Sequence, residues 1–181
     1  MMTRKFLIPV FIVLILFFTV PIFYLTNYSQ TISLEDKKTV YELPYPGILP
    51  DHPLYIFKAA RDGIWAFSTR DNLKKADLYI LLSDKRAKMA QSLNRKGKTD
   101  LAISTMSKGE KYFLKIPELL KDYKSQGGAI RQEMLDKVKS SNNKHKEIIQ
   151  ELLKNSPEGT QYRIAEILKL NQISQSQLES L

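Results

Sequence analysis

The sequence predicts an all-α protein: a single N-terminal transmembrane helix, a proline-rich strap, then a bundle of about four to five helices, mostly antiparallel. Three observations predict this. Residues 6–25 carry no charge at all. Four of the eight prolines, Pro44, Pro46, Pro50 and Pro53, fall inside ten residues. Beyond residue 55 the apolar side chains recur at helical spacing, few glycines and prolines interrupt them, and no strand pattern survives. The chain divides on this reading into a signal-anchor (1–25), a tether and strap (26–52), a helical bundle (53–171) and a partly disordered tail (172–181).

The apolar run, FLIPVFIVLILFFTVPIFYL, covers about 30 Å as a helix, the hydrocarbon thickness of a bilayer. Pro9 and Pro21 sit near its ends, where a missing helical hydrogen bond matters least. No small-x-small cleavage pair follows, so the segment reads as an uncleaved anchor. Arg4 and Lys5 precede it, and Glu35 and Asp36 are the first charges after it. That bias puts the N-terminus in the cytoplasm and the remaining chain outside, in a single-pass membrane protein.

Residues 26–39 are polar and aperiodic, a linker reaching at most about 50 Å. In the strap each proline fixes its own φ and extends its predecessor, which stiffens the segment. Its apolar residues Leu43, Tyr45, Ile48 and Leu49 are expected to dock on the helical domain. A helix then starts at His52-Pro53-Leu54, with Pro53 at its first position and Asp51 at its positive end. Phe57, Ala60, Ile64 and Phe67, spaced 3, 4 and 3, read as its core-facing stripe, with Trp65 beside it.

Asp71 is placed to cap a second helix that runs to about Arg95 and ends at Gly97. Small residues on its inner face, Ala76, Ala87 and Ala90, predict close approach of a neighbour. A third helix from Thr99 carries Ala102, Met106, Gly109, Phe113, Ile116, Leu120 and Tyr123, and Pro117 should kink it near Phe113. A fourth spans about 129–154, fraying over its weak middle, residues 139–144. Ser156-Pro157-Glu158 starts a fifth, whose apolar residues thin out after Leu170.

The absence of cysteine excludes disulfides, thiol nucleophiles and cysteine metal sites together. His52 reads as a helix-start residue and His145 as a satisfied interface histidine, with no Glu or His spaced to share a metal. Glu147 and Glu151 read as solvated. No phosphate loop, H-E-x-x-H or G-x-S-x-G occurs, so no enzyme activity, cofactor or metal is expected. The charge of +9, from 28 basic against 19 acidic residues, favours anionic partners. Lys108, Lys111 and Lys115 share one face of the third helix. Together with Tyr45, His52, Tyr55 and Lys58 they are the candidate partner-binding residues. Outside the cell, an anionic envelope polymer or a protein partner suits that set, and nucleic acid does not.

Two resemblances accompany these readings. Residues 96–103 with 108–112 look like the helix turn of one tetratricopeptide unit. Residues 41–123 carry the longer one, in the run Leu-Pro-Tyr-Pro-Gly-Ile-Leu-Pro-Asp-His-Pro-Leu-Tyr-x-x-Lys, whose core is Leu-Pro-x-x-Pro-Leu-Tyr-x-x-Lys, with Arg61-Asp62 and Lys74-Lys75-Ala76 after it. This is similar to a bacterial domain family of unknown function. The resemblance implies a bacterial chain with one membrane segment and a helical region, and attaches no activity. It stops before Gly127. The function expected is therefore non-catalytic: an envelope protein whose outward-facing helical domain binds or scaffolds. A regulatory or sensory module is the alternative, and an envelope hydrolase comes last.

Overall fold

The computed structural model describes residues 41–181, so the apolar segment 6–25 and the tether lie outside the described residues. Within them, six α-helices follow the strap: α1 (Tyr55–Ser68), α2 (Asn72–Arg95), α3 (Thr99–Phe113), α4 (Ile116–Ser125), α5 (Gln132–Asn155) and α6 (Gln161–Glu179). A single 3-10 turn, Glu158–Thr160, precedes α6. No strand occurs among the described residues, and no described helix is long and apolar enough to cross a membrane.

Local chemistry sets most boundaries. Asp71 accepts a hydrogen bond from the Lys74 backbone N–H at 2.8 Å and so caps α2. Gly97 ends α2 at φ +72°, and the Lys98 N–H bonds back to the Leu93 carbonyl at 3.0 Å. That left-handed position suits glycine, and it turns the chain directly into α3. The two helices then pack at close range. A Cβ added at Gly109 of α3 would lie 3.2 Å from Arg86 Cβ and 3.4 Å from the Ser83 carbonyl, both on α2.

The interior consists of two apolar clusters, and their membership reveals the topology. One contains Ala76, Leu78, Ile80 and Leu82 from α2, Phe113, Ile116 and Leu120, Val138 from α5 and Leu178 from α6. The other contains Ala87, Ala90 and Leu93 from α2, Ala102, Ile103 and Met106 from α3, Ile148, Ile149 and Leu152 from α5, and Ile164 and Ile167 from α6. Along α2 and α5 the chain passes from the first cluster to the second. Along α3 and α6 it passes back. Four helices thus alternate in direction, the antiparallel bundle that short connections favour.

The structure corrects several sequence expectations. Helix α1 begins at Tyr55, not at Pro53, and Asp51 bonds Lys98 at 2.9 Å and Lys96 at 3.3 Å instead of serving the helix end. The long third helix is two helices: Pro117 has no N–H to continue α3, and the chain breaks at Leu114-Lys115 before restarting. Residues 139–144 do not fray, because Ser141 and Asn142 are buried with polar partners that repay their weak helix propensity. The expected disordered tail is the second half of α6, held by buried Asn171, Ser174 and Leu178. In the strap, Leu43 packs on the second cluster, whereas Tyr45 and Ile48 point outward.

The largest correction concerns α1. Phe57, Ala60, Ile64 and Phe67 do not face the core: Phe57 and Ile64 are 69% exposed, Phe67 is 85% exposed, and Ala60 is exposed with them. The inner side of α1 is made instead by Tyr55, Ala59, Asp62 and Ala66. Spacing identifies an apolar stripe but not what covers it, and here the described chain supplies no cover.

Candidate functional site

Between the two apolar clusters lies a buried polar layer to which all four bundle helices contribute. Ser83 and Asp84 come from α2, Glu110 from α3, Ser141, Asn142 and His145 from α5, and Asn171 and Ser174 from α6. On each helix these residues fall between stretches that feed opposite clusters. The layer is therefore a cross-section of the bundle.

His145 is its centre. The ring is fully buried, with Nδ1 at 2.7 Å from Glu110 Oε1 and Nε2 at 3.0 Å from Asp84 Oδ1. The edge of the ring meets Phe113, with centroids 5.1 Å apart. Ser141 donates to Asp84 Oδ1 at 2.6 Å, and the Tyr41 hydroxyl donates to Asp84 Oδ2. Asn171 Nδ2 donates to Asn142 Oδ1 at 2.9 Å and to the Asn142 carbonyl at 3.1 Å, with Glu110 Oε2 at 3.4 Å. Each carboxylate buried in this layer is thus met by donors, as burial of charge requires.

Burial alone would push the His145 pKa down. That is the largest single effect, but the charge of Glu110, hydrogen bonds to Asp84 and Glu110 and the charge of Asp84 together outweigh it and raise the imidazole to about 9. At neutral pH it is an imidazolium donating from both nitrogens. Burial, and then the charge of Asp84, raise the Tyr41 hydroxyl above its usual range, so it stays a donor. This arrangement resembles an acid–base constellation in residue type but not in access. Both imidazole nitrogens and the facing carboxylate oxygens are occupied by one another. No group of side chains that could hold a metal ion occurs among the described residues. A surface hollow of about 340 Å³ beside Tyr41 is lined by Tyr41, Glu42, Leu43, Lys88, Gln91 and Lys144, not by the histidine.

The candidate partner-binding residues lie elsewhere. Tyr45 is exposed on the strap. His52 is exposed and accepts the Leu54 backbone N–H at its Nδ1, 3.2 Å away, which makes it a local turn residue. Lys58 donates to the Pro46 and Ile48 carbonyls and clips the strap to α1. Its burial, reinforced by Lys85, Arg61 and Arg86 against the pull of Asp62, lowers it to about 8. Tyr55 is half-buried, with the Lys58 ammonium 6.0 Å from its ring. Lys108, Lys111 and Lys115 are all exposed, and Lys115 stands 5.8 Å from the rings of both Tyr79 and Tyr112. Tyr55 and Lys58 share one end of α1; Lys108 and Lys111 belong to α3.

Sequence reasoning treated His145 alone and missed Asp84, Glu110, Asn142 and Asn171. A signal existed on three helices, where Ser83 on α2, Asn142 and His145 on α5, and Asn171 and Ser174 on α6 interrupt the apolar stripe; Glu110 lies beside an uninterrupted stripe on α3. Only the antiparallel pairing shows that the interruptions meet.

Residues 47–159 match the model of a family described as a domain of unknown function (DUF5667). The match runs well past Gly127, into the turn after α5, so the family's region includes the helix that carries His145. No curated protein and no solved structure matches the chain.

Proposed function

The chain belongs to the DUF5667 family, whose description assigns no activity, and from that premise we propose that it works without covalent chemistry. On this reading it is a bacterial envelope protein, anchored through residues 6–25, whose helical domain faces outward and binds or scaffolds other envelope components.

One observation carries the proposal. The His145 imidazole and its two carboxylates are sealed inside the bundle and occupy one another, while the surface carries cations without a carboxylate partner and an apolar helix face. Lys108 and Lys111 are exposed without a carboxylate partner among the described residues, and the outer side of α1 is apolar. Exposed cations and an uncovered apolar face suit recognition; a buried imidazolium suits architecture.

Two experiments test it. External protease applied to spheroplasts should digest the domain; a domain shielded until lysis overturns the outward orientation. Pull-down with anionic wall polymer should weaken as salt rises, because exposed cations are screened, and should weaken further in Lys108→Gln/Lys111→Gln/Lys115→Gln. Retention that ignores both salt and the lysines supports the second reading, a regulatory or sensory module that meets a protein partner through its apolar helix face.

A further inference from the structure

We propose that α1 is a lipid-docking helix: its outward face lies in the interface of the bilayer that anchors the chain. This rests on the anchored reading above and extends it to a second, reversible membrane contact.

The helix is inverted relative to an ordinary surface helix. Its inner side includes the buried Asp62 and the half-buried Lys58. Its outer side collects Ile56, Phe57, Ala60, Ile64 and Phe67, all exposed. At about 100° per residue these five fall within roughly one-third of the helix circumference, with no charged residue among them. The only acid in Tyr55–Ser68 is Asp62, which is turned inward and bound by Arg61 at 2.7 Å. No exposed carboxylate of α1 therefore opposes an anionic leaflet; Arg61, paired with Asp62, and Arg70, which precedes the exposed Asp71, stand exposed beside the apolar arc. An apolar face with basic flanks is the pattern of helices that lie in a membrane interface.

A second copy of the chain is the less favoured cover. Four large side chains at these exposures present on the order of 500 Å², against about 800 Å² per partner for a stable interface. Lipid has no such threshold once the chain is tethered. On the anchored reading the chain is already held at a membrane, so its apolar helix face meets lipid at a high effective concentration.

The chain has no cysteine, so a single label reports one position. Full-length Ala60→Cys, carrying an environment-sensitive fluorophore, would be reconstituted in vesicles of neutral and anionic phospholipid containing an acyl-chain spin-label quencher. Ala60 lies inside the arc, and its replacement leaves the four large side chains in place. The expected result is a blue-shifted emission quenched at least twofold, while the same label at Glu166→Cys on α6 is unquenched. Adding Phe57→Ser and Ile64→Ser should abolish the quenching at position 60. Flotation of the vesicles reads the anchor independently. A chain that fails to float overturns the anchored reading and this inference with it. A chain that floats with position 60 no more quenched than position 166 overturns lipid docking alone. Energy transfer between copies labelled at position 60, without lipid quenching, overturns it in favour of a self-association face.

Discussion

At the scale of single residues, the arrangement around His145 makes stability depend on pH in a defined direction. The imidazolium is favoured in the folded state by Glu110 and Asp84, so its pKa rises from 6.5 to about 9 on folding. The group stabilises fully below pH 6.5, and that contribution is lost as pH rises through 9. The loss is on the order of 3 kcal/mol. In thermal melts from pH 6.5 to 9.5 the parent's midpoint should fall relative to that of His145→Leu; the comparison cancels the opposite trend of Lys58, whose lowered pKa makes stability rise above about pH 8. That variant should itself lose about 3–5 kcal/mol at pH 7, because two buried carboxylates are left without their cation. A variant that melts like the parent would show that the ring is not charged. Tyr41→Phe removes one donor to Asp84 and should cost about 1–3 kcal/mol by urea denaturation, whereas Tyr45→Ala, at an exposed strap residue, should stay within about 0.5 kcal/mol. A strap acting only as a tether would make the two alike.

At the scale of elements, two helices make opposite points about what a pattern contains. In α3 the repeat of Ala102, Met106, Gly109 and Phe113 was legible and faces the interior as expected. Gly109 marks its closest approach to α2, so Gly109→Val should overpack the contact and cost about 1–3 kcal/mol in a urea titration. In α1 the 3-4-3 repeat was equally legible, yet it faces outward. Periodicity reports that a helix has an apolar side. It does not report whether protein, lipid or a partner lies against that side. Phe67→Ser separates the cases: a core phenylalanine would cost several kcal/mol, whereas Phe67 should shift stability by no more than about 0.5 kcal/mol. A large drop in melting temperature would return α1 to the core. The tail and the middle of α5 were misread for a related reason. Asn142, Asn171 and Ser174 look like residues that leave a helix, and their partners across the bundle are invisible in the local sequence.

At the scale of the molecule, the polar layer divides the interior in two and restricts how the helices can slide. Two apolar clusters stacked end to end would tolerate a one-turn shift of α5 or α6, since Leu and Ile pack with many neighbours. A shift of one turn, about 5.4 Å, would strand His145 among apolar side chains and leave Asp84 and Glu110 without their cation. The layer is thus costly to bury and costlier to misplace, which makes it a device for register more than for stability. The two roles separate experimentally. Replacing the charges together, as Asp84→Leu/Glu110→Leu/His145→Leu, removes the desolvation cost and the attraction at once. The combined variant should unfold at a urea concentration equal to or above the parent's, although His145→Leu alone is strongly destabilising. Its native state should also be less unique, with fewer slowly exchanging amides in α5 and α6 and a broader unfolding transition. If the three losses simply add and the combined variant is unfolded, the layer supplies net stability and the register argument fails. If the variant is stable and keeps the parent's exchange protection, the apolar clusters fix the register alone.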